Sequence, residues 1–131
     1  MPVVIFDIEA SCEDKNINPQ YNMETIEIGA VKLENGVIID EFQSFIKPEY
    51  TDRLTSFCTD LTTIVWGDLE EAPPFTEVIL EFFSFIYGSK IYSCGEFDKN
   101  FLSRELSDKG DTYAHELARN YILASHINLK S

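Results

Sequence analysis

Three carboxylates, Asp7, Glu9 and Asp98, are the side chains whose types and spacing suit one piece of chemistry, the capture of a divalent metal ion. Asp7 and Glu9 follow the apolar run Val3-Val4-Ile5-Phe6. Residues two apart on an extended chain point to the same side, so both carboxylates can reach one ion. Hard cations such as Mg²⁺ or Mn²⁺ prefer carboxylate oxygens and keep part of their water shell, which leaves room for a substrate phosphate. An Asp-x-Glu pair is also common at solvated strand ends, and the pair alone admits both readings. Asp98 lies just past a second short strand, at the amino end of a helix. If that strand runs parallel to the first, its carboxyl end opens onto the same sheet edge, where ligand sites of α/β proteins lie. The same aspartate suits an N-cap or first-turn position, worth roughly 1 kcal/mol, and the two roles are compatible.

The elements that must position these groups follow from the hydrophobic pattern. Val3–Phe6 is short, wholly apolar and β-branched, which predicts a central strand covered on both faces that delivers Asp7 at its carboxyl end. Residues 25–33 and 37–46 flank Asn35-Gly36 and predict an antiparallel hairpin closed by Lys47-Pro48. Residues 49–72 read as irregular or short-helical. Pro73-Pro74 then opens a helix in which Phe75, Val78, Ile79, Phe82 and Ile86 recur at helical spacing, ended by Gly88; this aromatic stripe reads as core, not as a base-stacking platform. Residues 90–94 predict a strand, Asp98 to Lys109 a helix stopped by Gly110, and Thr112 to Ala124 an amphipathic helix with Leu117 and Tyr121 on one face. His126 to Lys130 alternates like an edge strand. Helical crossovers after a hairpin predict an α/β fold, a mixed sheet of antiparallel hairpin plus parallel strands with packed helices.

A chain of 131 residues with 44% apolar content can bury one modest core, so a single domain is expected. No run of about 18 apolar residues exists to span a bilayer, and the start MPVVIFD lacks the basic region and long apolar run of a signal peptide. These features predict a cytoplasmic protein with no membrane association. Cys12, Cys58 and Cys94 are widely separated, with no CxxC pair, and read as free thiols and not as a disulfide framework or zinc knuckle. The net charge of −13 argues against a broad basic face for nucleic acid. Bound cations invert the local field, however, so an acidic protein can still approach phosphate through metal.

In order along the chain, VIFDIEASCEDKN, METIEIGAVKLENGVIIDEFQSFIKP, LTTI, EAPPF, SCGEFDKNFLSREL and HINLK resemble the DEDDh branch of the 3′-to-5′ exonucleases, within the ribonuclease-H-like superfamily. The similarity is greatest to the enhanced-RNAi type, which trims histone-mRNA ends and small RNAs. It runs from Val3 to Lys130. The resemblance implies a ribonuclease-H-like fold, two divalent metals (Mg²⁺ or Mn²⁺), and single-stranded RNA or DNA 3′ ends as partners. It assigns the first motif to Asp7 and Glu9 and the second to Asp98. Asp7 would hold both ions, Glu9 the ion bearing the nucleophilic water, and Asp98 would act directly or through a metal-bound water. Leu61 and Thr62 match a segment that lies beside the 3′-terminal nucleotide; Thr63 stands where that segment usually has glycine.

The third motif of that family, a histidine followed five residues later by aspartate, is not matched. His115 is followed at that spacing by Asn120 and His126 by Ser131. His126 reads as structural and His115 as a helix-surface residue. In related proteins HINLK precedes the missing motif, so residues 1–131 are expected to form one exonuclease-like domain without its last helices. Without the histidine base, positioned acid–base catalysis worth roughly 10²- to 10⁴-fold is lost, so weak or no activity is expected from this chain alone. The alternative is a non-catalytic module that binds nucleic acid or a protein. Apolar surface left uncovered would favour a homo-oligomer or a complementing polypeptide. A ribonuclease-H-like endonuclease is a third reading.

Overall fold

A computed structural model describes residues 1–93 and 96–128, of which 96–97 and 126–128 are described by backbone alone. The chain order is β1 (Val3–Ala10), β2 (Thr25–Glu34), β3 (Val37–Phe45), α1 (Ser56–Thr62), α2 (Trp66–Leu69), α3 (Phe75–Ile86), β4 (Lys90–Ser93), α4 (Glu96–Lys109), α5 (Tyr113–Ser125) and β5 (His126–Asn128). The strands form one mixed sheet in the order β3-β2-β1-β4-β5. β2 is antiparallel to both β1 and β3, whereas β4 is parallel to β1 and β5 to β4. Asn35 and Gly36 both adopt positive φ, 53° and 77°, the geometry a two-residue hairpin turn needs. Among the described residues, no helix is long and apolar enough to cross a membrane.

β1 departs from the expected strand in two ways. It continues through Asp7 and Glu9 to Ala10, because β2 pairs with it throughout, Asp7 opposite Gly29 and Glu9 opposite Glu27. On its other side, Val3, Val4 and Ile5 pair in parallel with Lys90, Ile91 and Tyr92 of β4. The strand is also covered on one face only. Val4, Phe6 and Ile8 are buried in a cluster with Val78, Ile79 and Phe82 of α3, Leu102 and Leu106 of α4, and Ala118 and Ile122 of α5. Ile5 on the opposite face is 39% exposed. Both parallel crossovers step the same way along the sheet, so right-handed connections put all three long helices on one side. An apolar run does not by itself reveal that its second face is left open.

The stripe of α3 is core as expected: Phe82 packs on Phe6 with ring centroids 5.5 Å apart and on Phe42 at 5.6 Å. In α5 the buried stripe is His115, Ala118 and Ile122, while Leu117 is 41% exposed. His115 is thus not the surface residue expected. Its Nε2 lies 2.8 Å from the Thr76 carbonyl oxygen, which can only accept, so Nε2 donates and Nδ1 is left to accept from Thr112. The imidazole ties α5 to the start of α3. Gly110 permits this approach, since a Cβ there would stand 2.7 Å from that of His115.

The segment between β3 and α3 forms two short helices, fixed by a second small cluster of Ile26, Cys58, Ile64 and Leu69. Thr55 caps α1 by accepting from Cys58 N at 3.0 Å, and α1 ends at Thr63 with φ 66°. A β-branched residue in the left-handed region is strained by roughly 1–2 kcal/mol, a strain that glycine would not carry. Thr63→Gly is expected to stabilise the protein by about 1 kcal/mol, measured by urea unfolding. A neutral or destabilising effect would show that Thr63 is held there by contacts that offset the strain.

Candidate active site

Of the carboxylates Asp7, Glu9 and Asp98, the fold brings Asp7 and Asp98 into direct contact beside the carboxyl-terminal half of β1. Asp7 points from β1 to the uncovered face and is exposed. Asp98, in the first turn of α4, bonds to the Asp7 side chain and accepts a hydrogen bond from the backbone N–H of Ile8. Asp98 is thus held against the neighbour of Asp7, a bond for which the sequence carries no signal.

The electrostatics follow from the crowding. The Asp98 carboxyl is pushed up from an ordinary 3.8 to about 6, first by burial, then by the charge of Asp7 and the bond to it, with Glu9 adding to the rise and the Ile8 N–H opposing it. Glu9 is raised too, by burial first and then by Asp7 and Glu27. Glu27 faces Glu9 across the β1–β2 ladder and is steadied by Gln43, whose Nε2 donates to its Oε2 at 2.8 Å. Glu27 was not singled out from the sequence, although its place opposite Glu9 follows once the hairpin register is known.

These groups offer only hard oxygen donors, the type that divalent cations such as Mg²⁺ take, and a cation would relieve the repulsion that raises Asp98. The donor set therefore fits such an ion. Among the described residues no three Asp, Glu, His or Cys side chains already stand in coordinating positions, so binding requires the carboxylates to rearrange around the ion.

Leu61 and Thr62 lie at the end of α1. Leu61 is 69% exposed, whereas Thr62 is half-buried and donates from Oγ1 to the Cys58 carbonyl at 2.9 Å. α1 is fastened to the chain just beyond Glu9: Thr55 Oγ1 donates to the Cys12 carbonyl at 2.6 Å, and Cys58 Sγ to that of Ala10 at 3.7 Å. Cys12 and Cys58 are free thiols, and the Cys12 thiol is pushed up to about 12, by burial first and then by its bond to Cys58. Cys94 lies outside the described residues, as does the side chain of His126. No described histidine adjoins the carboxylates, since His115 is committed to Thr76 and Thr112.

A family model described as exonuclease, of the RNase T type, matches residues 4–131. The chain belongs to the exonuclease family. Among curated relatives, the PolC-type DNA polymerase III of Caldanaerobacter subterraneus subsp. tengcongensis is 34% identical over 125 residues, 95% of this chain but 8% of the polymerase. Human 3′-5′ exoribonuclease 1 is 35% identical over 79 residues, 59% of this chain and 22% of that protein. This exonuclease chain therefore spans only a small part of the length of those relatives. Among solved structures, a 3′-exonuclease studied in 3′-end specific recognition of a histone mRNA stem-loop superposes with a TM-score of 0.74 at 28% identity, covering 86% of this chain and 54% of that one. The nuclease domain of 3′hExo, a DEDDh family member bound to rAMP, gives 0.70 at 28% identity, covering 79% and 58%. Exonuclease I of E. coli with a dT13 oligonucleotide matches 98% of this chain and 28% of its own at 12% identity and a TM-score of 0.68, a likeness of fold alone. The DEDDh-type resemblance and the ribonuclease-H-like fold are both upheld. The family is of the kind that works with divalent metals.

The raised carboxyl makes a signed prediction. Folding holds the Asp98 proton up to about 6, against 3.8 for an ordinary aspartate, so its stabilising contribution is full below 3.8 and is lost as pH rises through 6. Asp98→Asn, which cannot ionise, is expected to raise the Tm of the chelator-treated protein at neutral pH and to change it little in acid. Thermal unfolding at the two pH values checks this; an equal effect at both would contradict the assignment.

Proposed function

We propose that this chain is a divalent-metal nuclease domain acting on 3′ ends of single-stranded nucleic acid, with Asp7, Glu9 and Asp98 as metal-holding and catalytic carboxylates. The observation that carries it is the Asp7–Asp98 contact, formed by residues 91 positions apart in sequence. Two Mg²⁺ or Mn²⁺ ions, when bound, would supply an activated water and stabilise charge developing on the phosphate. The chain's own residues do the rest. The Ile8 N–H orients Asp98, Asp7 faces solvent where a phosphate can approach, and Glu27 across the ladder keeps Glu9 in a strongly negative field that favours cations. Leu61 presents an exposed apolar side chain to a terminal base, and Thr62, bonded back to Cys58, fixes the helix end that carries it. With a net charge of −13 and no described histidine at the carboxylates, both phosphate approach and water activation rest on the cations. Turnover is accordingly slow.

Isothermal titration with Mn²⁺ is expected to show binding that Asp7→Ala abolishes and Asp98→Ala weakens at least about tenfold, as loss of a ligand does. Slow Mn²⁺-dependent shortening of 5′-labelled single strands, with circular strands left intact, is expected alongside. Absence of divalent binding by the unaltered chain, or cleavage of circles, would overturn the reading.

A second reading, an interaction module, is favoured by the uncovered sheet face, where Ile5 and Ile38 are 39% and 54% exposed. It predicts concentration-dependent self-association or capture of a complementing polypeptide, measured by size-exclusion chromatography with light scattering. A monomer at all concentrations that gains no mass from added polypeptide counts against it.

A further inference from the structure

The helix that carries Asp98 is fastened at its far end by a buried ion network. Lys109 Nζ lies 2.8 Å from Glu24 Oε1 and 2.7 Å from Glu105 Oε2, with the three side chains only 5%, 2% and 6% exposed. Glu105 Oε1 accepts from both the N–H and the hydroxyl of Thr25, at 3.0 and 2.7 Å. The Glu24 carboxylate accepts from the N–H groups of Glu49 at 2.7 Å and Tyr50 at 3.1 Å. The backbone of Glu24 is doubly bonded to Ser11, two residues beyond Glu9. Two carboxylates against one ammonium leave a negative surplus, which these backbone donors offset. Burial alone would lower the Lys109 ammonium, but its bonds to Glu105 and Glu24 outweigh that and raise it, so it stays charged.

Buried ion sets stabilise little relative to well-packed apolar groups, and their best-attested use is to fix register. Here the register is that of α4. Asp98, Glu105 and Lys109 stand at i, i+7 and i+11, on one stripe of the helix. Seven residues of helix rise about 10.5 Å, so the helix is a strut with two polar fixings. One end is received by Ile8 N of β1 and the other by Thr25, the residue paired with Ala10. The apolar contacts of Phe101, Leu102 and Leu106 hold α4 to the core, but such burial is non-directional and leaves rotation and slide poorly set. The Glu105–Thr25 bonds are directional and set both.

We propose that Glu105, held by Lys109 and Glu24, is a positioning residue for the metal site: it fixes the rotation and slide of α4 that bring Asp98 against Asp7 and Ile8. The metal part rests on the function proposed above. The test therefore uses one readout with metal and one without. In the metal-free protein, Glu105→Ala is expected to move the Ile8 amide proton upfield and speed its exchange with solvent, as the bond to Asp98 is lost. With Mn²⁺, the same change is expected to weaken binding about tenfold, the scale of lost support behind metal ligands, and to add nothing in an Asp98→Ala background. Glu105→Gln, which can still accept from Thr25, is expected to restore the Ile8 resonance and most of the affinity. An unmoved Ile8 amide with unaltered Mn²⁺ affinity, alongside a lower Tm, would overturn the proposal and leave the network a stabiliser of the fold alone. Should Glu105→Ala fail to fold, Thr25→Val removes one of the two bonds and is read the same way. If the unaltered protein binds no Mn²⁺ while Ile8 responds as described, the metal reading fails and the positioning role stands.

Discussion

Carboxylates set side by side repel, and taking one of them partly out of water sharpens the repulsion. Asp7 and Asp98 are kept in contact against that cost by the strand and helix that deliver them. β1 is held by β2 along its whole length, and α4 is held by its apolar face, by the Ile8 N–H and by the Glu105–Thr25 bonds. Burial first, and then this enforced contact, raises the Asp98 carboxyl to about 6. Strain of this kind is met where structure is organised for function, and a cation is the natural agent to relieve it.

The strand that carries Asp7 and Glu9 also supplies the donor that receives Asp98. The backbone N–H of Ile8 donates to the Asp98 carboxylate. Because β2 continues to Ala10, Asp7 and Glu9 remain on a rigid strand with their side chains on the open face. The two halves of the candidate site thus meet on one strand, Asp7 and Glu9 by their side chains and Asp98 through a backbone donor. The same arrangement places Glu27 opposite Glu9 and strengthens the negative field there.

Much of this was legible beforehand. The Asn35-Gly36 turn fixed the hairpin, Pro73-Pro74 and the Phe75–Ile86 stripe fixed α3, and the strand and helix around Asp98 were marked by hydrophobic pattern and by Gly110. The ordered likeness from Val3 to Lys130 supplied the grouping of Asp7, Glu9 and Asp98 that spacing alone left open. The features that the sequence does not show have common physical causes. One-sided coverage of β1 depends on crossover handedness, and an apolar tetrapeptide reads the same whether one face or both are buried. His115 reads as a surface residue in sequence because its burial depends on Gly110 and on a carbonyl of α3 that lies 39 residues away. The Glu24–Lys109–Glu105 network consists of residue types that usually face solvent, and only tertiary structure shows them dry.

The central claim is that enforced proximity of Asp7 and Asp98 makes a cation site completed by Glu9. Crystals grown with Mn²⁺ and measured near its absorption edge test it most directly. The account predicts anomalous density bounded by oxygen atoms of Asp7, Glu9 and Asp98. Density at other surface carboxylates only, with Asp7 and Asp98 still bonded to each other, would contradict it.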